Sequence, residues 1–496
     1  MAIYRFYATQ DNTITDGYGS VRSTRATDAN MGMSDILEVY SLYGAFTSAS
    51  LEKSRVLLQF DTTQIAASRS AGTIPASGSS KFYLQIYNSP QSATQATNFT
   101  LTINALSRSW DEGIGLDMDE YLDLGVSNWK TASFDGSTYT AWTAQGADYH
   151  TSPEYTQTFG AGTENLEVDV SDIVEQWLAG TKSNYGFLIK LTSSQESGAT
   201  NTIPSSSYYT KKFFGRDTEY YFKKPRLEVR WDNSIKDDSA NFYVSSSRAS
   251  AADNLNTIYF YNYVRGQLAN LPNVGTSPIL VSLYSGSAAN TAPSGSKLFL
   301  PIGGDVASVG DTNVTGGYVG TTGIYSASLA FVSSSITDIY PVWHSGSVEY
   351  FTGSAITVSS LSASKSSYNP NPQHVINVTN LRAAYGNETA RFRLFVRDKD
   401  WSPTIYTTAS KTISTKTVRQ AFYQIRRTVD DLIVVAYGTG SGDDGSTKLS
   451  YDSNGNYFDF ETDNLESDYQ YELSFIFYEN GKYAEQSEKF LFRVKY

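Results

Sequence analysis

Apolar and polar residues alternate with period two along the whole chain, and no other feature narrows its fold as much. Phe82, Leu84 and Ile86 alternate with Tyr83, Gln85 and Tyr87. Leu166, Val168 and Val170 alternate with Glu167 and Asp169, and Leu227, Val229 and Trp231 with Glu228 and Arg230. The spacing returns at Ile279, Val281 and Leu283, at Phe392, Leu394 and Val396, at Tyr471, Leu473, Phe475 and Phe477, and at Phe490, Phe492 and Val494. Successive side chains of a strand point to opposite faces, so this pattern predicts strands with one face on a core and the other in water. Asp135-Gly136, Asn387-Glu388 after Gly386, and Asn454-Gly455 read as the turns between such runs. The 37 Tyr and 37 Gly fit the same picture, since aromatics suit pleated surfaces and glycine suits turns. Helical spacing occurs in one short stretch: Ser171 as cap, Ile173, Val174, Trp177 and Leu178 as an apolar face, and Gly180 as terminator. Such a helix is expected to plug one end of a sandwich.

At 496 residues the chain exceeds one ordinary core. The polar run Asp232-Asn233-Ser234-Ile235-Lys236-Asp237-Asp238-Ser239 reads as a linker. A second break lies between Ser359 and Pro372, where Ser-rich sequence meets Asn369-Pro370-Asn371-Pro372 and proline denies both helix and central strand. The expected units are about 1–232, 240–362 and 366–496. The fold class is all-β, a row of tandem β-sandwiches in which a larger first module precedes two immunoglobulin-like ones.

The residues that carry most site chemistry are scarce. There is no cysteine, which removes disulfides, thiol nucleophiles and thiolate metal sites. The net charge of −12 disfavours a backbone-tracking nucleic-acid binder, although Lys211, Lys212 and Arg216 form a local basic group. His150, His344 and His374 are too far apart in sequence for a His-x-x-x-His pair and read as structural. The acidic pairs and triplets Asp111–Glu112, Asp117–Asp119–Glu120 and Asp443–Asp444 read as solvated loop charges. Asp452-Ser453-Asn454-Gly455-Asn456 alternates oxygen side chains as a calcium loop does. Its glycine is misplaced for an EF-hand, so it reads as a hairpin turn. The chain is accordingly expected to be no enzyme and to hold no metal or cofactor. Its start lacks a basic stretch followed by an apolar one, which predicts no signal peptide, and no apolar run is long enough to span a membrane. Exposed aromatics are the remaining candidates for ligand or partner contact: Tyr139, Trp142, Tyr149 and Tyr155, and, beside the basic group, Tyr208, Tyr209, Phe213 and Phe214.

The first 230 residues resemble the DNRLRE (disaggregatase-related) family of β-sandwich modules. The resemblance rests on Asp11-Asn12-Thr13-Ile14, Asn30-Met31-Gly32, Arg55-Val56-Leu57-Leu58-Gln59-Phe60-Asp61 and Trp110-Asp111-Glu112-Gly113. It continues in Val168 to Gly180 with Asn184-Tyr185-Gly186, in Phe214-Gly215-Arg216-Asp217, and in Pro225 to Val229. It implies a jelly-roll-like sandwich. The stretch between about 113 and 163 departs from the family pattern as a long insert rich in Tyr, Ser and Thr. The rest of the chain is similar to minor structural proteins of tailed bacteriophages of marine myovirus type. That likeness rests on Ile258 to Gly266, Gly323 to Ala327, Val342 to Ser347, Tyr423 to Arg427, Tyr451 to Phe458 and Phe490 to Val494. It implies a virion component at a capsid, collar or tail position, assembled in the bacterial host cytoplasm. Its partners would be other virion proteins and further copies of itself, with no nucleic acid and no membrane. An adhesin for host surface polysaccharide is the alternative, and a polysaccharide hydrolase the third reading.

Overall fold

The computed structural model describes residues 2–19, 24–46, 50–91, 96–122, 126–197, 207–286, 313–359, 371–402, 405, 415–439 and 445–496. The chain is all-β and folds into tandem β-sandwiches. It forms two compact units, one built from residues 2–232 and the other from most of 233–496.

In the first unit a small sheet runs in the order Ile3–Tyr7, Arg226–Arg230, Lys81–Ile86, Leu166–Asp169, antiparallel throughout. A larger sheet runs Tyr149–Phe159, Phe99–Leu106, Phe187–Leu191, Leu51–Gln59, Gln10–Thr15, Ala29–Asn30, Asp117–Leu122, and Ile36–Tyr43 with Ser207–Phe214 joins it beside Leu51–Gln59. Phe82, Leu84, Ile86, Leu227 and Val229 from the small sheet meet Val56, Leu58, Leu101, Ile103 and Ile189 from the large one in a single core. The alternation therefore assigns the inner faces as expected.

The outer face of the small sheet differs from the expectation of water. Arg5, Gln85, Arg226, Glu228 and Arg230 are all buried. Cross-strand register places Arg5 opposite Glu228 and Arg226 opposite Gln85. Arg5 Nε donates to Glu228 Oε2 at 2.9 Å, Arg230 Nε to Glu228 Oε1 at 2.8 Å, and Arg226 Nε to Gln85 Oε1 at 2.8 Å. The guanidinium groups of Arg230 and Arg226 lie over the Tyr83 and Tyr87 rings at 4.3 and 5.2 Å. Long side chains laid flat over a sheet bury one another, and charge pairing makes that burial tolerable.

The expected helix forms as α2, Ser171–Leu178, with Ile173, Val174 and Trp177 buried and Trp177 against Phe187 at 4.8 Å. Ser171 is inside the helix and does not cap it. Its hydroxyl donates to Asp169 Oδ1 at 2.5 Å and accepts from Phe82 N at 2.9 Å. A second helix, α1 at Thr62–Ser70, was not expected, because Ile65 is its one buried side chain and no apolar period marks it. Asp61 caps it, accepting from Thr63 N at 2.8 Å, and Arg69 ties it to Glu175 of α2.

The second unit holds two sets of strands. Strands from Phe242–Tyr243 to Ile356–Ser359 enclose Phe260, Val281, Leu283, Tyr325 and Trp343. Strands from His374–Val378 to Phe490–Val494 form two sheets. Aromatics pack between them, with Tyr423 stacked on Phe458 at 4.0 Å and Phe392 on Phe458 at 5.1 Å. The stretch 233–239, read from its polarity as a linker, is tied into this unit instead. Ile235 and Asp237 exchange backbone hydrogen bonds with Tyr451. Asp238 accepts from Thr257 N at 2.9 Å, from the Tyr451 hydroxyl at 3.0 Å and from Arg419 at 3.2 Å, so one buried carboxylate joins both sets of strands. The expected boundary between 362 and 366 lies outside the described residues.

Candidate functional site

Residues 107–122 and 126–148, which include the first part of the insert, build a second, smaller core on the outer face of the large sheet. Ile14, Leu57, Leu106 and Leu188, which point away from the main core, are covered by Trp110, Trp129, Ala132, Trp142 and Ala147. Each indole is anchored by burial, and two by hydrogen bonds: Trp110 Nε1 donates to Tyr185 O at 2.9 Å and Trp142 Nε1 to Asn128 O at 2.8 Å. Trp142 is 5% exposed. It is a core residue, which corrects its expectation as an exposed contact: the insert folds back on an apolar sheet face that the sequence does not show to be vacant. Phe213 and Phe214 are likewise buried, and Lys211 is buried against the Phe159 and Phe213 rings with its amine on Asn88 Oδ1, Gly162 O and Glu164 O at 2.6 to 2.8 Å.

The other three candidates separate. Tyr139 is 52% exposed and stacks on Phe134 across the hairpin Thr131–Phe134/Tyr139–Ala141 at 4.7 Å. Tyr155 packs on the main core, and its hydroxyl accepts from Ile173 N at 3.1 Å at the start of α2. Tyr149 packs on the small core, with Lys190 Nζ over its ring at 5.4 Å.

Tyr149 also lines an open groove of about 370 Å³, together with Ser107, Arg108, Thr143, Ala147 and Asp148. Arg108 Nε lies 2.9 Å from Asp148 Oδ2, Nη1 donates to Ala141 O at 3.3 Å, and Nη2 donates to Thr143 Oγ1 at 3.1 Å. A guanidinium has five N–H groups, so one on each terminal nitrogen has no partner among the described residues. Burial opposes ionisation of Asp148, but the N–H groups of Thr143 and Ala144, with Arg108, hold its carboxyl below the usual carboxylate range. Beneath the groove the backbone takes two successive positive φ values, Gly146 at 88° and Ala147 at 88°. Only the first is glycine. A Cβ there would stand 2.8 Å from the Trp129 ring, and Arg55 donates to Gly146 O at 2.6 Å. Arg55 is itself held by Glu196 and lies over Trp129 at 5.2 Å.

A second polar assembly gathers Asp11-Asn12, Asn30-Met31, Glu112-Gly113 and Arg216 from distant segments. Asp11 N donates to Glu112 Oε1 at 2.7 Å, Arg216 N to Asp11 Oδ2 at 2.6 Å, and Arg216 Nη2 to Glu112 Oε2 at 3.1 Å. Asn12 accepts from Met31 N and donates to Ser127, and Asn30 fills the space beside Gly113 and Gly115. Burial first, then the charges of Glu112 and Asp217, push the Asp11 carboxyl up to about 7 against the opposing pull of Arg216. Among the described residues no group of three or more His, Asp and Glu is arranged to hold a metal ion. Asp452, from the segment weighed as a calcium loop, pairs with Arg393 at 2.8 and 2.9 Å and turns a hairpin at Gly455. His344 bonds Ser282 and Gly346, and His374 bonds Glu479. Asp443 and Asp444 lie outside the described residues.

These features define a tandem β-sandwich protein whose first module carries a tryptophan-anchored insert. No family model matches the chain, and no curated protein matches it. Among solved structures it aligns with a marsupial T cell receptor at 12% identity and a TM-score of 0.16, over 44% of this chain and 63% of that one, less than two thirds of the receptor chain. It aligns with a titin A168–169 fragment at 8% identity and a TM-score of 0.14, over 53% of this chain and 97% of the fragment.

Proposed function

We propose that the protein is a structural component of a bacteriophage virion that works by protein–protein assembly, its first unit being a DNRLRE-type module. The observation that supports this most is an apolar surface at the root of the insert. Met33, Ile114 and Leu116 are each more than half exposed, and Met33 N donates to Gly115 O, so the two short segments that carry them run side by side. Clustered exposed apolar groups mark surfaces that another protein covers. The test is cryo-electron microscopy of purified particles from the source, with the double variant Ile114→Asp/Leu116→Asp followed in parallel. Ordered density for this chain at a capsid, collar or tail position, and loss of the variant from particles, is expected. Particles that lack the protein would sink the reading.

A second reading, an adhesin for host surface polysaccharide, is favoured by the groove at Arg108 and Tyr149.

A further inference from the structure

We infer that the groove between residues 107–108 and 143–149 is a subsite for one neutral pyranose unit of a surface polysaccharide. This rests on the adhesin reading and gives it a place and a ligand class. A pyranose offers vicinal hydroxyls along its edge and C–H groups on its face. The groove supplies complements to both. Arg108 keeps two N–H donors free of described partners, and the Ser107 and Thr143 hydroxyls beside it can donate or accept. Tyr149 gives an aromatic wall for the C–H face.

The charge argument selects a neutral sugar. Asp148 already matches the Arg108 cation at 2.9 Å, so the pair offers directional hydrogen bonds without net charge. A volume of about 370 Å³ lies at the low end for small-ligand sites, which suits one ring with its neighbours left in solvent.

Rigidity is the second, independent observation. Ala147 is a buried non-glycine residue at a φ of 88°, a conformation that side chains with a Cβ avoid. It is held there by Gly146, by the Arg55 bond to Gly146 O and by the Trp129 ring below. Strained backbone that the surroundings over-determine is a hallmark of ligand clamps, and a wall fixed beforehand loses little entropy on binding.

The test uses the full-length protein on a printed array of neutral and acidic bacterial capsular and O-chain polysaccharides. Arg108→Ala, Tyr149→Ala, Tyr149→Phe and Tyr139→Ala are run beside it, with the thermal transition of each recorded. Binding of the parent to a neutral polysaccharide is expected. Arg108→Ala and Tyr149→Ala should weaken it by about tenfold or more, while Tyr149→Phe, which keeps the ring, and Tyr139→Ala, outside the groove, should change it less than about twofold. If a truncation variant fails to fold, Arg108→Lys replaces it, because it keeps the charge but loses the fork and should still lose binding. Parent binding that no groove variant alters would overturn the subsite and leave the adhesin reading standing. Binding restricted to acidic polysaccharides would overturn the neutral-sugar assignment. A parent that binds nothing on the array would overturn both.

Discussion

Two buried carboxylates in the first unit sit in opposite electrostatic settings. Burial alone would raise the pKa of Glu228, but Arg5, Arg230 and Arg226 overrule it and bring it down to about 2. A carboxyl whose folded pKa is depressed stabilises the fold above its unfolded value, near 4.5, and that stability is lost as pH falls from there toward 2. Glu228→Gln should abolish this acid-side loss. It should also cost about 3–5 kcal/mol at neutral pH by leaving buried guanidinium groups without their counter-charge. Asp11 has the reverse sign. Its folded pKa of about 7 lies above the ordinary 3.8, so stability is highest below 3.8 and falls as pH rises through 7. Asp11→Asn should flatten that fall and stabilise the protein at about pH 8. Urea midpoints measured from about pH 3 to 8 check both variants. An unchanged slope in Asp11→Asn between pH 4 and 7 would refute the assignment. Neither sign could be read from the sequence, where Glu228 is simply the polar member of an alternating strand and Asp11 the first residue of the stretch Asp11-Asn12-Thr13-Ile14.

At the scale of elements, α2 and the turn after it were legible because their signals are local. Ile173, Val174 and Trp177 repeat at helical spacing, and Asn184-Tyr185-Gly186 is a turn signature. A turn forms there. Gly186 takes a φ of 86°, Asn184 Oδ1 accepts from Gly186 N at 3.0 Å, and an added Cβ would lie 2.0 Å from Leu58 O. Gly186→Ala therefore meets both backbone strain and a backbone collision, and should destabilise by more than about 2 kcal/mol in equilibrium urea unfolding. A loss below about 0.5 kcal/mol would mean that the loop yields. Helix α1 has no such local signal: it buries one side chain and is held by its Asp61 cap and by Arg69 on Glu175, both of which depend on partners or backbone placed by the fold.

In the whole molecule, polarity misled where a charged segment became an internal tie. Asp237 and Asp238 look like linker residues, yet both are buried, and Asp238 serves Thr257 N, Tyr451 and Arg419 at once. Asp238→Ala should leave each sandwich folded but loosen their joint. Hydrogen exchange should speed up at the amides of Thr257 and Tyr451, while Val281 and Phe475, deep in the two cores, keep their protection. Uniform acceleration through both cores would show that Asp238 supports folding as a whole and not the joint.

The sequence by itself determined the all-β class, the inner face of most strands, the α2 helix and several turns. Period-two alternation, helical spacing and positive-φ glycines each act within a few residues. Tertiary structure decided the rest. It turned Trp142 from a candidate contact into a core residue and left Tyr149 as the one predicted aromatic that lines the groove. It brought Arg108 and Asp148, 40 positions apart, into one pair, and it set Asp11 beside Glu112 and Arg216. Such meetings depend on which sheet faces are vacant and how strands register, and those are settled by packing between distant segments that no local pattern encodes.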